Sequence, residues 1–440
     1  MLEIPNLAKD VVLRSKVDYQ DQQKKLWDAE RHLAIAYEKN RAQDDYMRFI
    51  DADLREDLPT PSNNITKRVN DRVSLVYMIP PVRQLGDEEY DMTQYNELTA
   101  LKDLSLQGSE RKTNLLGLIG TKITWLEGKF SYHKLIDFEC FFDSKNPMKP
   151  VAVMFPIASA DTVSDVSEQR WEYWDETEWR IYENGKLIDQ GENQYGIIPI
   201  VWTYRELPDT SFLDADPDRE LIMANRELNV LQLDGDANIR FRSFGQMYAT
   251  GFMEETEINR SQNSVLTLPE GSSIGTTSPE DTITSIKEWL KQIYTFVAQN
   301  HHLSVSFVEG VVAESAVAIK ERNRELNDDR RSDVERWRIA EHDIYKIEKE
   351  IALVEANMKL PDEFSVDFSE SITDELSPAE QQAKWDWDLE HNLTTLAQIA
   401  MERNPDKFDS IEDAQEFIDA NKAADAPIPT LANALIAPVE

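Results

Sequence analysis

The sequence predicts an α+β protein, mainly helical, and three observations carry that expectation. Apolar residues recur at alternating steps of three and four over long stretches in the second half of the chain, which is the signature of helix faces. Between Leu115 and Thr203 the texture changes to short apolar or alternating runs separated by turn residues, which reads as a β-rich subdomain. The composition supports a folded chain: of 440 residues, 41% are hydrophobic, with 10 Trp, 14 Tyr and 16 Phe, more aromatics than a solvated chain carries.

In order, the stretch from Leu7 to Asp53 reads as helix, with Leu26, Ala29, Leu33 and Tyr37 at helical spacing, and Pro59 and Pro61 break it. A second helix is expected from Asn64 to Tyr77, stopped by Ile79-Pro80-Pro81, and a third from about Met92 to Leu106. Strand-like runs follow at Gly120–Leu126, Lys134–Phe142, Val151–Phe155, Trp171–Trp174, Trp179–Tyr182 and Ile197–Tyr204. Asn184-Gly185 between two of them is a hairpin signal. Asp216 with Pro217 is placed to open a helix whose stripe is Leu221, Ala224, Leu228 and Leu231, with Asp234-Gly235-Asp236 in its middle. Met247–Met253 and Val265–Leu268 read as strands. Ser278-Pro279-Glu280-Asp281 is a capping box, opening a helix with a heptad seam of Ile283, Ile286, Leu290, Ile293 and Val297. After an irregular segment, His301–Glu314, a helix of about 45 residues, or roughly 67 Å at 1.5 Å each, runs from Ser315 to Lys359. Its first part is almost wholly polar; its second carries Trp337, Ala340, Ile344, Ile347, Ile351, Val354 and Met358. Two more capping boxes, at Ser377–Glu380 and Ser410–Asp413, mark helices in the tail.

The charge excludes more than it suggests. Forty-seven basic residues against 83 acidic give a net charge of −36, the wrong sign for gripping phosphates over a surface or for a polybasic membrane contact. Cys140 is the single cysteine, so neither an intrachain disulfide nor a Cys-based metal cluster is expected. MLEIPNLAKDVVLR lacks a signal peptide's apolar run, no apolar stretch approaches the length of a membrane span, and a reducing, aqueous compartment is expected.

Templates for chemistry find little. Gly117-Leu118-Ile119-Gly120-Thr121-Lys122 lacks the glycine before lysine that a phosphate loop needs. Asp214, Asp216 and Asp218 start like a calcium loop, but Arg219 replaces the glycine and Asn225 the final glutamate; Asp234, Asp236 and Asn238 fail likewise. Helix capping is the preferred reading of both. His301-His302 is the only histidine pair, and adjacent positions chelate poorly. Trp171–Glu176 offers aromatics beside carboxylates, which keeps a carbohydrate-active hydrolase open as an alternative, although aromatic packing in a strand is the simpler reading. No enzyme activity, metal or cofactor is expected.

The order of elements resembles the portal proteins of tailed bacteriophages, the head-to-tail connectors. Asn63-Asn64-Ile65-Thr66-Lys67-Arg68-Val69, then Val73-Ser74-Leu75 and Pro80-Pro81, is similar to an early stretch of that family, departing at Asn70 and Met78. Tyr195–Val201 resembles the passage from wing to stem, Leu268-Pro269-Glu270-Gly271 the end of the clip, and Glu314–Lys320 the start of the helix after the tunnel loop, with Ala316 for the usual glycine. The resemblance implies a portal-like fold with a wing at 1–213, first stem helix at 214–243, clip at 244–278, second stem helix at 279–300, tunnel loop at 301–314, long kinked wing helix at 315–359, and crown with C-terminal tail at 360–440.

It also implies a ring-forming homo-oligomer, a dodecamer at one capsid vertex, conducting double-stranded DNA without sequence specificity during packaging and ejection. The implied partners are the major capsid protein and scaffold, the terminase large subunit and then the head-tail adaptor. The implied location is the virion, with assembly in the host bacterial cytoplasm. On this reading Val305, Phe307, Val308, Glu309, Gly310, Val311, Val312 and Glu314 face the channel, and Glu254, Glu255, Glu257, Asn259 and Arg260 form the docking surface of the clip. An acidic wall suits a conduit, because it repels DNA within about 8 Å at physiological salt. A coiled-coil interaction protein built on the two heptad seams is the other alternative.

Overall fold

The structure is a computed structural model that describes residues 11–12, 18–50, 55, 59–61, 63–87, 90–143, 146–157, 170–244, 246–250, 273–277, 283–303, 316–369, 378–391, 393–403 and 410–424. The chain divides into two units, Met1–Ile372 and Thr373–Glu440.

The expectation of a mainly helical, portal-like fold with wing, stem, clip and crown is corrected. The protein is 51% helical and 24% strand, an α+β fold in which sheets are a major layer. Among the described residues there are four sheets, of six, three, two and two strands, and every pairing is antiparallel. The difference arises because pairing extends the apolar runs well past their apolar cores. The run Val151–Phe155, for instance, lies within a strand of twelve residues, Asn146–Ile157, whose first four residues are exposed.

Unit 1 opens with strand β1 (Val11–Val12) and helix α1 (Asp18–Glu38), followed by α2 (Gln43–Met47). The buried face of α1 differs from the expected one. Leu26 is 64% exposed, while Trp27, Arg31, Ala34 and Tyr37 are buried. Arg31 takes the core position because three backbone carbonyls, from a helix end, a strand and a loop, meet there: its guanidinium donates to Leu116 O (3.0 Å), Leu118 O (2.6 Å) and Ile136 O (2.7 Å). Trp27 Nε1 donates to Ala215 O at 2.8 Å. Reading periodicity by hydrophobicity alone misplaces a face that is anchored by an arginine.

Helix α3 (Ile65–Val73) is capped by Asn64, whose side chain accepts from Lys67 N at 2.9 Å. It is followed by strand β2 (Val82–Leu85), α4 (Thr93–Leu98) and α5 (Lys102–Leu116). The expected third helix is therefore two, and it runs ten residues further. Gly117 ends α5 at φ +80°, where a Cβ would lie 2.5 Å from the Asp216 carbonyl oxygen.

The β-rich part holds β3 (Leu118–Leu126), β4 (Lys129–Leu135), β5 (Glu139–Asp143), β6 (Asn146–Ile157), β7 (Arg170–Asp175), β8 (Glu178–Glu183), β9 (Lys186–Glu192) and β10 (Ile200–Tyr204). One sheet has the order β1-β5-β6-β7-β8-β9 and a second the order β10-β3-β4. The Asn184-Gly185 turn joins β8 to β9, with φ of 50° and 77°, as a tight hairpin of the primed type requires. The expected single run Lys134–Phe142 is split between two sheets, with Phe138 buried between the strands.

Helices α6 (Arg219–Phe244) and α7 (Ile283–Asn300) flank the two-stranded sheet of β11 (Gln246–Thr250) and β12 (Ser273–Thr277). Helix α8 (Ala316–Ala356) is 41 residues long, and β13 (Phe364–Asp367) returns to pair with β2. The predicted apolar half of α8 is the spine of the largest core: Trp337, Ala340, Ile344, Ile347 and Ile351 pack with Tyr77, Leu85, Tyr95, Leu106 and Val366.

Unit 2 has α9 (Pro378–Glu390), α10 (Leu396–Arg403) and α11 (Ile411–Ala424). The last two pack through Ala397 and Ala414. Ser410 caps α11 as expected, accepting from Asp413 N at 3.2 Å. Thr395 and Gln398 form a reciprocal capping box that the sequence reading passed over. Ser377 lies outside the described residues.

Candidate functional site

Two features of unit 1 present chemistry or surface beyond ordinary packing: an antiparallel helix pair with two half-exposed aromatics at its edge, and a groove beside the long helix. A buried ionic network fixes the long helix in place.

The helix pair is α6 and α7. Asp218, two residues later than expected, caps α6 by accepting from Leu221 N at 3.1 Å. The start is displaced because Asp218 N donates to Leu115 O at 3.0 Å, which ties the preceding residues to the end of α5. The two stripes predicted independently meet one another: Leu221, Ala224 and Leu228 share a core with Ile293, Val297 and Ala298, with Leu231 and Leu290 at its edge. The pairing is antiparallel, since Asn300 Nδ2 donates to Glu220 (2.8 Å), Trp289 Nε1 donates to Glu227 (2.7 Å), and Ile286 lies nearest Gly235. Helix α6 runs unbroken through Asp234-Gly235-Asp236. Asn225 fastens the pair to α3: its amide oxygen accepts from Thr66 N and Oγ1, and its amide nitrogen donates to Asn63 O. At the edge of the pair Trp289 is 48% and Phe296 57% exposed, two turns apart on α7.

The ionic network joins α8 to α5 and β2. Glu341 and Glu348 are both fully buried, as is Lys102, whose Nζ lies 3.1 Å from Glu341 and 3.0 Å from Glu348. Arg83 Nε donates to Glu341 at 3.0 Å and its Nη2 to Asp103 at 2.7 Å. Tyr77 OH donates to Glu341 (2.9 Å), and Tyr95 OH (2.7 Å) and Tyr132 OH (2.5 Å) donate to Glu348. Burial pushes the Glu341 carboxyl up, but Lys102 and Arg83 outweigh it and hold it at about 2. The same burial, with Glu341 and Glu348 nearby, raises the tyrosine hydroxyls. Every oxygen is engaged, so the network's role is to hold α8. Sequence reading missed it, although a signal existed: Glu341 and Glu348 each directly follow a residue of the apolar stripe, seven apart.

Beside it, Glu110 is buried and accepts from Val76 N (2.7 Å) and Tyr77 N (3.1 Å). Burial raises its carboxyl to about 7, against the two backbone donors.

The groove lies between the β6–β10 side of the sheets and α8, with a volume of about 600 Å³. Its floor includes Ile200, Trp202, Trp337 and Ala340, and its edges carry Leu207 (68% exposed) and Ile339 (59% exposed).

The residues assigned from resemblance, Val305, Phe307, Val308, Glu309, Gly310, Val311, Val312 and Glu314 for the channel and Glu254, Glu255, Glu257, Asn259 and Arg260 for the clip, lie outside the described residues. The other candidates resolve into structural roles. His301 lies 3.5 Å from Asp218 on α6 and His302 Nδ1 2.5 Å from Asp329 on α8, so the pair diverges towards two helices. Burial lowers the His301 pKa, and Asp218 opposes that effect. Asp214 accepts from Thr210 N and Oγ1. Lys122 pairs with Glu172, which also accepts from Trp174 Nε1; Asp175 Oδ1 accepts from Thr177 N, Thr177 Oγ1 and Glu178 N in the β7–β8 turn. The carboxylates of Trp171–Glu176 thus serve the sheet. Among the described residues no group of three or more His, Cys, Asp and Glu side chains is placed to hold a metal ion, and no helix is long and apolar enough to cross a membrane.

A scan against protein-family models finds no match to this chain, and a search of curated proteins finds none. Among solved structures the chain is similar to one described as the neck of an empty GTA particle, computed with C6 symmetry. The two share 12% sequence identity over 80% of this chain and 90% of that one, with a TM-score of 0.45.

Proposed function

We propose that the chain is a structural subunit of a phage-like head-to-tail connector, of the portal kind. Copies close into a ring, twelve on this reading, at one vertex of a capsid. Double-stranded DNA passes through the centre during packaging and ejection, and the chain itself performs no catalytic step. The major capsid protein and scaffold surround the ring. The terminase motor and then the head-tail adaptor dock on the segment containing Glu254, Glu255, Glu257, Asn259 and Arg260, and Val305–Glu314 faces the DNA.

The observation that carries the reading is the helix pair. Two long antiparallel helices, Arg219–Phe244 and Ile283–Asn300, are joined through a small antiparallel sheet. They fuse the two predicted stripes into one core and leave Trp289 and Phe296 half-exposed at its edge. A helix pair that keeps exposed aromatics at its edge is suited to repeat around an axis, and a head-to-tail contact that closes gives a ring. The charge of −36 fits a conduit, which must confine DNA without binding it.

The test is native mass spectrometry and electron microscopy of the purified chain at micromolar concentration. A closed ring with a central channel is expected; a monomer or dimer overturns the reading. Within a ring, deleting Val305–Glu314 is expected to leave assembly intact and to impair packaging or retention of DNA.

A further inference from the structure

Among the described residues three glutamates lie fully buried, and they are not alike. Glu341 and Glu348 face Lys102 and Arg83. Glu110 accepts instead from Val76 N and Tyr77 N, at the start of the short 3-10 turn Val76–Met78. That turn joins two cores. Leu75, just before it, shares a core with Leu221, Leu228 and Ile293 of the helix pair. Val76 and Tyr77 belong to the core of α8, with Trp337, Ile344 and Ile351. We propose that Glu110 is a proton-operated lock on this joint: protonated, it keeps the turn closed, and ionised, it draws water between α5 and α8 and releases the turn. The inference concerns the single chain and does not rest on the ring reading.

The surroundings of Glu110 supply the reason. Arg330 and Asp333 face it from α8, Arg111 from its own helix and Tyr77 from the turn. Each is engaged elsewhere. Arg111 pairs with Asp71 of α3 at 3.3 Å, Asp333 with Arg336, and Tyr77 OH donates to Glu341. Arg330 donates through Nε to Leu75 O at 3.1 Å and through Nη1 to Ser369 O. Glu110 therefore forms no ion pair among the described residues, and a buried carboxyl without a counter-ion is stable only while neutral. Burial accordingly raises it to about 7.

The same joint holds an unanswered donor. Arg330 is 2% exposed, and among the described residues its Nη2 has no hydrogen-bond partner. Once Glu110 loses its proton, the carboxylate and this N–H both gain from hydration. The segment between them is the turn, held by Arg330 at the Leu75 carbonyl and by Glu110 at the next two amides. The other side-chain tie to its backbone, Gln107 Nε2 to Tyr77 O, is long at 3.4 Å. Opening can thus be confined to this segment. The closed form holds the carboxyl at about 7 and the open form at the ordinary 4.5, so opening becomes more favourable as the pH rises. Between pH 6 and pH 8 those two values make it about tenfold more favourable.

Hydrogen exchange of the full chain, read by mass spectrometry and corrected for the intrinsic pH dependence of amide exchange, tests the lock. Peptides spanning Leu75–Met78 are expected to lose about tenfold in protection from pH 6 to pH 8, while those from the β7–β8 hairpin keep theirs. Glu110→Gln, which cannot ionise, is expected to abolish the loss. Two further substitutions move its midpoint in opposite directions while leaving Glu110 in place. Asp333→Asn is expected to lower it, because Asp333 raises the Glu110 carboxyl. Arg330→Met is expected to raise it, because Arg330 and Glu110 attract one another. These shifts keep the proposal testable if Glu110→Gln fails to fold. Four results overturn the inference: protection at Leu75–Met78 that does not change with pH, a fall shared equally by the β7–β8 hairpin, a fall retained in Glu110→Gln, or a midpoint unmoved by both charge substitutions.

Discussion

Changing Glu341 to glutamine removes one of two carboxylates that neutralise Lys102 and Arg83 in the centre of the largest core. The intact set is balanced: Arg83 and Lys102 against Glu341 and Glu348, with Asp103 at the edge. The substitution keeps the shape but removes the carboxylate that both cations share, leaving Arg83 to the part-exposed Asp103 and Lys102 to Glu348 alone; breaking a buried pair from one side costs about 3–5 kcal/mol. The carboxyl's own titration gives a similar size. Its folded pKa is about 2 against 4.5 in an unfolded chain, and a shift of that extent is worth about 3 kcal/mol at 1.36 kcal/mol per unit. Because the folded pKa is depressed, this stability is present above pH 4.5 and is lost as the pH falls towards 2. The assay is chemical denaturation followed by tryptophan fluorescence, with Trp337 packed 5.2 Å from the Tyr77 ring as the local probe. E341Q is expected to lose about 3–5 kcal/mol at pH 7 and to show a flatter acid limb. Lys102→Met removes the same Lys102–Glu341 contact that E341Q removes, so the double variant loses it only once and is expected to recover at least about 1 kcal/mol relative to the sum of the single losses. A loss below about 1 kcal/mol for E341Q, or strict additivity in the double variant, refutes the account of the network as a mutually neutralising clamp.

Glu110 has the opposite sign. Its folded pKa is raised to about 7, so its contribution is present at low pH and fades as the pH rises through 7. From pH 5 to pH 8 about 2 kcal/mol of stability is expected to disappear from this source, and thermal melts of Glu110→Gln are expected to be correspondingly less pH-dependent. Gly117→Ala places a Cβ against the Asp216 and Ala215 carbonyls at positive φ, with an expected loss of about 2–4 kcal/mol in denaturant titrations. The Cys140 thiol, buried and with its pKa pushed up by that burial, is expected to resist alkylation at pH 8 in the native protein and to react at once in denaturant, which a thiol-reagent assay reads directly.

Where burial follows hydrophobicity, the fold was legible in the sequence. The stripes Leu221-Ala224-Leu228 and Ile293-Val297 were each visible as a period, and the structure packs them against each other. The same holds for the apolar half of α8 and for the Asn184-Gly185 hairpin. The failures share a cause. Arg31, Lys102, Arg330, Glu341 and Glu348 are buried ions, and a reading by apolar period assigns every charge to the solvent. Arg330 shows it within the half of α8 that reads as polar: its guanidinium donates to Leu75 O and Ser369 O. The balance of helix and sheet was misjudged because strand length comes from partners, which no local pattern contains. The groove was invisible for a related reason, since its walls come from β6, β10 and α8, nearly two hundred residues apart.

Glu341 and Glu348 stand two turns apart on the same side of α8, each locked to fixed cations and hydroxyls. A helix held by apolar contacts alone slides or rotates at modest cost, since one methyl group replaces another. Two pegs at this spacing remove that freedom. Slippage by a single turn, about 5.4 Å, would carry both carboxylates away from the cations and hydroxyls that hold them. The 41-residue helix is thereby converted from a packed element into a strut: a push at one end is delivered to the sheet and to α5 with little lost to sliding.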